Sequence, residues 1–132
     1  MPEKILIIED DDSLATLTRL QLESKSYLVQ IAHNGAEGLR QAYAWQPDLV
    51  LLDIMMPGLN GFEVCERIKN DEATQHIPVI MLTAKKSSED MSRAEQLGAD
   101  QYITKPFRSA YLLDTIQKAL AVTMPRFSAA IV

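Results

Sequence analysis

Leu49-Val50-Leu51-Leu52-Asp53-Ile54-Met55-Met56-Pro57-Gly58 is the stretch that decides the fold. Four aliphatic residues in a row, with no polar alternation, read as a strand buried on both faces, central in a parallel sheet. The run ends in a carboxylate and then a Pro-Gly turn. A charge at the tip of a buried strand is costly unless something compensates it. In open α/β sheets that tip is also where ligands bind. The chain repeats the pattern: Ile5-Leu6-Ile7-Ile8 runs into Glu9-Asp10-Asp11-Asp12. Two apolar strands ending in acids on one sheet edge point to a divalent cation site and a reactive aspartate.

Outward from these strands the rhythm is strand then helix, five times. Lys4 to Ile8 is predicted as the first strand, and a helix follows from Ser13 to Lys25, capped by Asp12 or Ser13. Tyr27 to Ala32 is a second strand. Asn34 caps a helix with Ala36, Leu39 and Tyr43 at helical spacing, stopped by Pro47. Asp48 to Asp53 is the third strand. A third helix carries Phe62, Cys65 and Ile68. Pro78 to Thr83 is the fourth strand, with proline at its first position, where a missing N–H is tolerated. Ser87 or Ser88 opens a helix that Gly98 ends. Asp100 to Thr104 is the fifth strand, and Ser109 to Ala121 the last helix, with Leu112, Ile116 and Ala119 inward. This alternation implies a parallel sheet with helices on both faces and right-handed crossovers.

The chain has 132 residues, enough for one domain with its own core. Thirteen basic and eighteen acidic residues leave a net charge of −5, which argues against non-specific binding to nucleic acid or anionic membrane. Cys65 is the single cysteine, so no intrachain disulfide is expected and a reducing, cytoplasmic setting is the simple reading. No signal-peptide core and no run of about 20 apolar residues is present. Residues 122–132 fit no element and are expected to be a tail or the start of a linker after a domain over 1–121. The chain is then either a single-domain regulator or a piece of a longer protein.

In such a fold the C-terminal strand ends share one edge. There the first strand delivers Glu9 and Asp10, the third Asp53, the fourth Thr83 and the fifth Lys105. Clustered carboxylates raise one another's pKa unless a cation neutralises them. A hard dication does this, and Mg²⁺ takes one or two carboxylates and keeps waters. With Thr83 and Lys105 offering a hydrogen bond and a positive charge to further oxygens, the set suits phosphoryl transfer. Asp53 would be the nucleophile, forming an acyl phosphate.

Four segments resemble one family: Lys4-Ile5-Leu6-Ile7-Ile8-Glu9-Asp10-Asp11; Asp53-Ile54-Met55-Met56-Pro57-Gly58-Leu59-Asn60-Gly61; Pro78-Val79-Ile80-Met81-Leu82-Thr83-Ala84; and Gly98-Ala99-Asp100-Gln101-Tyr102-Ile103-Thr104-Lys105-Pro106-Phe107. Their order and spacing, with Thr83 and Lys105 standing 30 and 52 residues beyond Asp53, resemble the receiver domain of two-component response regulators. The resemblance covers residues 4 to 121. It implies a flavodoxin-like (βα)5 sandwich of strand order 2-1-3-4-5. It implies that Asp53 accepts a phosphoryl group from a sensor histidine kinase or a histidine phosphotransfer protein. Asp10 and Asp53 would hold Mg²⁺, with the Met55 backbone carbonyl as third protein ligand and Glu9 acting through water. Lys105 would contact the phosphoryl group, and its bond to Pro106 would be cis. Thr83 would move toward the phosphate and Tyr102 would rotate inward, shifting the face made by the fourth helix, fifth strand and fifth helix. That face would act on an output domain or partner, a homodimer being one use of it. Met55 and Lys85, each two residues past a site residue, would tune dephosphorylation.

Taken singly, these residues have ordinary readings. Glu9 to Asp12 could be an acidic cluster favoured by a helix dipole, Asp53 a satisfied strand-end acid, Thr83 a strand threonine, Lys105 a solvated lysine and Tyr102 a fixed core ring. Asp12 reads as a cap, Asp11 as a rim residue, and His33 and His76 as solvated. Two other functions compete. A phosphatase with an aspartate nucleophile needs a second acid two residues on, where Met55 stands, so an enzyme acting on external substrates is not expected. A phosphate-independent receiver-like interaction module usually lacks one of the acids or the lysine, all of which are present here. Dinucleotide and nucleoside-triphosphate loops are absent. One dimer mode of DNA-binding regulators uses charged pairs on the last helix, where this chain has Tyr111, Thr115 and Gln117.

Overall fold

Five strands and five helices alternate along the chain in this computed structural model, which describes residues 2–121. They are β1 (Lys4–Ile8), α1 (Asp12–Glu23), β2 (Leu28–Ala32), α2 (Gly35–Trp45), β3 (Leu49–Leu52), α3 (Gly61–Asn70), β4 (Val79–Thr83), α4 (Ser88–Gln96), β5 (Gln101–Thr104) and α5 (Ser109–Leu120). The tail or linker expected over 122–132 lies outside the described residues. All four strand pairings are parallel, and the order is β2-β1-β3-β4-β5, so the flavodoxin-like order 2-1-3-4-5 holds. β3 is central and buried along its whole length, as its unbroken apolar run demands.

Alternate strand residues feed two cores. Ile5, Ile7, Leu49, Leu51, Ile80, Leu82 and Ile103 pack with α1 and α5 residues such as Ala15, Leu22, Leu112 and Ile116. Leu6, Ile8, Val50, Leu52, Val79 and Met81 pack with Ala42, Val64, Ile68 and Ala94 from the helices of the other face. The helices start where side chains can cap them. Asn60 and Glu63 form a reciprocal capping box on α3, and Ser87 caps α4. Gly98, at φ +98, ends α4 in the left-handed region that suits glycine.

Two local expectations are corrected. The α1 cap is Asp11, whose carboxylate accepts from Leu14 N–H at 3.1 Å, and Asp12 is already in the helix. The buried face of α2 is Gly35, Gly38 and Ala42, not Ala36 and Tyr43, and Tyr43 is 61% exposed. The helix lies so close to the sheet that a Cβ on Gly38 would come within 2.5 Å of Ile8 Cδ1. Small residues therefore face inward, and the large ones turn outward.

Cys65 is fully buried in α3, and burial pushes its thiol up to about 12. Its ionisation is held above the ordinary value of 9.0, so its contribution to stability is complete below that value and is lost as pH climbs toward 12. The native protein is expected to resist alkylation by iodoacetamide at neutral pH, and urea-unfolded protein to react fully. Rapid labelling of the native state would contradict this packing.

Candidate functional site

Strand register brings the acids together. Ile8 pairs with Leu52, so the residues that follow, Glu9 and Asp53, leave neighbouring strands side by side. Asp53 N–H donates to the Ile8 carbonyl at 3.1 Å, and Glu9 N–H to the Ala32 carbonyl at 3.0 Å, which carries the sheet bonding into the loops. On the other flank, Lys105 N–H donates to the Thr83 carbonyl at 2.8 Å. The Lys105–Pro106 bond is cis.

Lys105 crosses the edge to reach the acids. Its Nζ is 2.8 Å from Glu9 Oε1 and 3.2 Å from Asp53 Oδ2. The other oxygen of Asp53, Oδ1, accepts the Met55 N–H at 3.1 Å, so both ends of that carboxylate are held. Glu9 Oε2 accepts the Asp11 N–H at 3.3 Å. Glu9 and Asp53 are 5% and 6% exposed, whereas Asp10 lies open on the rim. One carboxylate oxygen from each of Glu9, Asp10 and Asp53 falls within 4.8 Å of the others.

The electrostatics follow from that crowding. Burial raises the Glu9 carboxyl; the Lys105 hydrogen bond opposes this and the Asp53 charge adds to it, leaving a pKa of about 7. Burial disfavours the Lys105 ammonium, but the Glu9 hydrogen bond and the Asp53 charge outweigh it and hold its pKa above the ordinary value. One lysine thus serves two carboxylates, with the third, Asp10, close beside them. An all-oxygen donor set with surplus negative charge fits a hard dication.

Gly61 sets the position of Asp53 from below. Its N–H donates to the Ile54 carbonyl at 3.0 Å. A Cβ there would stand 2.5 Å from Ile54 Cα and closer still to the Asp53 carbonyl oxygen. Both obstacles are backbone, so neither can swing away. Gly61→Ala is expected to cost about 2–3 kcal/mol through overpacking, read as a lower urea midpoint, and to displace Asp53. An unchanged midpoint would contradict this close approach. The glycine belongs to the Asn60-Gly61 turn of the sequence motif, but its close approach to the Asp53 main chain was not legible there.

Thr83 and Tyr102 are joined through the main chain of Lys85, a link the sequence did not reveal. Thr83 is buried, and its Oγ1 accepts the Lys85 N–H at 3.3 Å. Tyr102 is 1% exposed and turned inward, and its hydroxyl donates to the Lys85 carbonyl at 2.9 Å. Burial, with the Asp90 and Asp53 charges, pushes that phenol up to about 12, so it remains a donor. The Lys85 side chain turns to Asp90 at 4.0 Å, and Met55, 55% exposed, borders an open cleft of about 500 Å³ that Lys85 and Arg93 also line. His33 is exposed, as expected, and its Nδ1 lies 2.9 Å from Asp12 Oδ1. Of the α5 positions singled out for dimer pairing, Thr115 is buried and its hydroxyl donates to the Tyr111 carbonyl at 2.8 Å, so it presents no group to a partner. No helix among the described residues is long and apolar enough to cross a membrane.

The profile of the response regulator receiver domain matches residues 5–117. The chain is 42% identical over 120 residues to the DNA-binding dual master transcriptional regulator RpaA of Synechocystis sp., a match spanning 91% of this chain and 50% of that protein. It is 45% identical over 116 residues to the uncharacterized transcriptional regulatory protein YkoG of Bacillus subtilis, spanning 88% of this chain and 50% of that one. The chain therefore spans about half the length of these curated relatives. Among solved structures, the CheY-like response regulator receiver domain protein of Methanospirillum hungatei superposes with a TM-score of 0.88 at 32% identity, covering 93% of this chain and 97% of that one. With the profile running from β1 into α5, the sheet order in agreement and the acids and lysine gathered on one rim, this chain belongs to the response regulator receiver domain family.

Proposed function

We propose that this chain is a phosphorylation-activated signalling switch whose phosphoacceptor is Asp53. The observation that carries the reading is the double reach of Lys105 to Glu9 and Asp53 beside Asp10, at the sheet edge where ligands bind. The donor is a phosphohistidine on a sensor histidine kinase or a histidine phosphotransfer protein, in the cytoplasm. An Asp53 carboxylate oxygen attacks phosphorus. The phosphorus–nitrogen bond breaks, its electron pair stays on the imidazole nitrogen, and, with a proton on the other ring nitrogen, the leaving group is neutral histidine. The product is an acyl phosphate. Asp10 and Asp53 would hold Mg²⁺ with the Met55 carbonyl, and Glu9 through water; the ion supplies positive charge to the phosphoryl oxygens. Lys105 gives its ammonium to one such oxygen, and the Thr83 hydroxyl donates to another. A phosphate-independent module is not favoured, because every acid and the lysine are in place.

The output follows from the Thr83–Lys85–Tyr102 link. A phosphoryl oxygen that draws the Thr83 hydroxyl takes the Lys85 N–H contact with it, and the Tyr102 hydroxyl holds the other end of the same residue. Two tethered positions make a bistable element, and the α4-β5-α5 face reads it. That face serves an output domain, a partner or a homodimer, with no direct nucleic-acid contact by this domain. Incubation with acetyl phosphate and Mg²⁺, followed by intact mass spectrometry, tests the whole reading. One added phosphoryl group, lost on hydroxylamine treatment, is expected; no mass gain at any donor concentration would overturn it.

Met55 and Lys85 set the lifetime. An apolar Met55 cannot hydrogen-bond a water in line with the acyl phosphate, so the phosphoryl group is expected to persist in the purified domain. Met55→Asn supplies that hydrogen bond and should shorten the lifetime several-fold. Decay within seconds in the wild type, or an unchanged rate in the variant, would refute this.

A further inference from the structure

β2 is an edge strand, and a groove of about 520 Å³ runs along its outer side. Thr16 and Arg19 of α1 line one wall, Gln41 of α2 the other, and Val29, Gln30 and Ile31 the floor. In a parallel strand, alternate residues turn their main-chain groups to the same side. Leu28 N–H donates to the Glu3 carbonyl and the Ala32 carbonyl accepts from Glu9, both at 3.0 Å, so Leu28, Gln30 and Ala32 face β1. Val29 and Ile31 therefore turn their N–H and C=O outward. Gln41 Nε2 meets the Ile31 carbonyl at 3.3 Å while also donating to Glu37 Oε1 at 2.8 Å. Among the described residues, nothing bonds the Val29 N–H and C=O or the Ile31 N–H.

Two side-chain atoms of this groove are buried without a hydrogen-bond partner: Arg19 Nε and Gln41 Oε1. Glu23 Oε1 stands 3.9 Å from that Nε, an ion-pair distance too long for a hydrogen bond. Leaving such atoms unmet is costly, and few buried polar atoms in folded proteins are left so. One is a donor and the other an acceptor, on opposite walls above a strand edge that offers both. A peptide main chain carries one of each per residue.

We propose that the β2 edge binds an extended segment of a partner protein, added as a further strand beside β2, with its C=O and N–H groups meeting Arg19 Nε and Gln41 Oε1. The Val29 N–H and C=O and the Ile31 N–H supply the ladder, which is how strand addition gains affinity. A second copy of this chain fits less well. Antiparallel pairing of two β2 strands would set the Gln41 that covers Ile31 in one copy against Val29 of the other, and each copy carries a net charge of −5. The inference does not rest on the phosphorylation reading.

Linear peptides selected from a random displayed library against the full chain test it. Bound peptide is expected to slow amide exchange at Val29 and Ile31. Val29→Pro removes an outward N–H and no bond to β1, as edge strands tolerate, and should weaken the same peptide about tenfold. Gln41→Met and Arg19→Met should each weaken it too, and Asp53→Asn should not. Phosphoryl uptake from acetyl phosphate should survive in Val29→Pro, which separates failure here from failure of the switch. The proposal is overturned if no peptide is enriched, if selected peptides protect another face, or if they bind Val29→Pro and Gln41→Met undiminished. A concentration-dependent dimer lost in Val29→Pro would replace the partner with a second copy.

Discussion

Asp53→Asn is expected to take up no phosphoryl group from acetyl phosphate or from a phosphohistidine donor, a complete loss. The amide lacks the negative charge and the lone-pair basicity that attack on phosphorus requires, and no neighbouring group replaces them. Glu9 shares Lys105 with Asp53, but its Oε1 is committed to that lysine at 2.8 Å and its Oε2 to the Asp11 N–H. Asp10 sits on the open rim. The substitution is close to isosteric, so the fold should survive. The Met55 N–H can still donate to the amide oxygen, and Lys105 keeps Glu9. The check is intact mass after incubation with donor and Mg²⁺, with urea unfolding as the control for folding. Uptake by the variant at even a tenth of the wild-type extent would move the acceptor elsewhere.

Lys105→Met carries the second large effect, on stability and on metal dependence together. Its ammonium serves two acids that are nearly buried: the side chains of Lys105, Glu9 and Asp53 are 17%, 6% and 8% exposed. Removing one partner of a buried ion pair leaves charge uncompensated, which typically costs about 3–5 kcal/mol. The open rim at Asp10 admits water, so about 2–4 kcal/mol is expected here, a fall of roughly 10 °C in Tm in EDTA. Methionine keeps the length of the stem and its packing, so the loss reports charge rather than cavity. Millimolar Mg²⁺ should then stabilise the variant more than the wild type, because it neutralises what the lysine did. A variant as stable as the wild type in EDTA, or a Tm indifferent to Mg²⁺ in both proteins, would overturn the view that these carboxylates share one cation site.

The strands were legible because their residues leave no alternative. Leu49 to Leu52 and Ile5 to Ile8 are too short and too apolar for surface helices, and each ends in acids that no core would accept. The caps at Asn34 and Ser87 were legible for a related reason: a short polar side chain before a periodic apolar run has one good use. The α1 cap was misplaced because Asp10, Asp11 and Asp12 are chemically equivalent, and only the path of the chain selects Asp11. The α2 face was misread because periodicity counts hydrophobicity, whereas contact with Ile8 demands small size at Gly38. Tyr43, at helical spacing with Leu39, therefore lies on the surface.

What the sequence determined by itself is the set of candidate site groups and the edge they share, because apolar runs define strands and parallel strands put their carboxyl ends together. What only the tertiary structure decided is who touches whom. Lys105 and Glu9 are separated by 96 residues and meet at 2.8 Å, and Thr83 and Tyr102 are joined through the main chain of Lys85. The groove beside β2 opens between helices on opposite faces of the sheet. Such contacts depend on strand register and helix approach to a fraction of an ångström. Those are set by the packing of the whole core, and no local pattern of residue types encodes them.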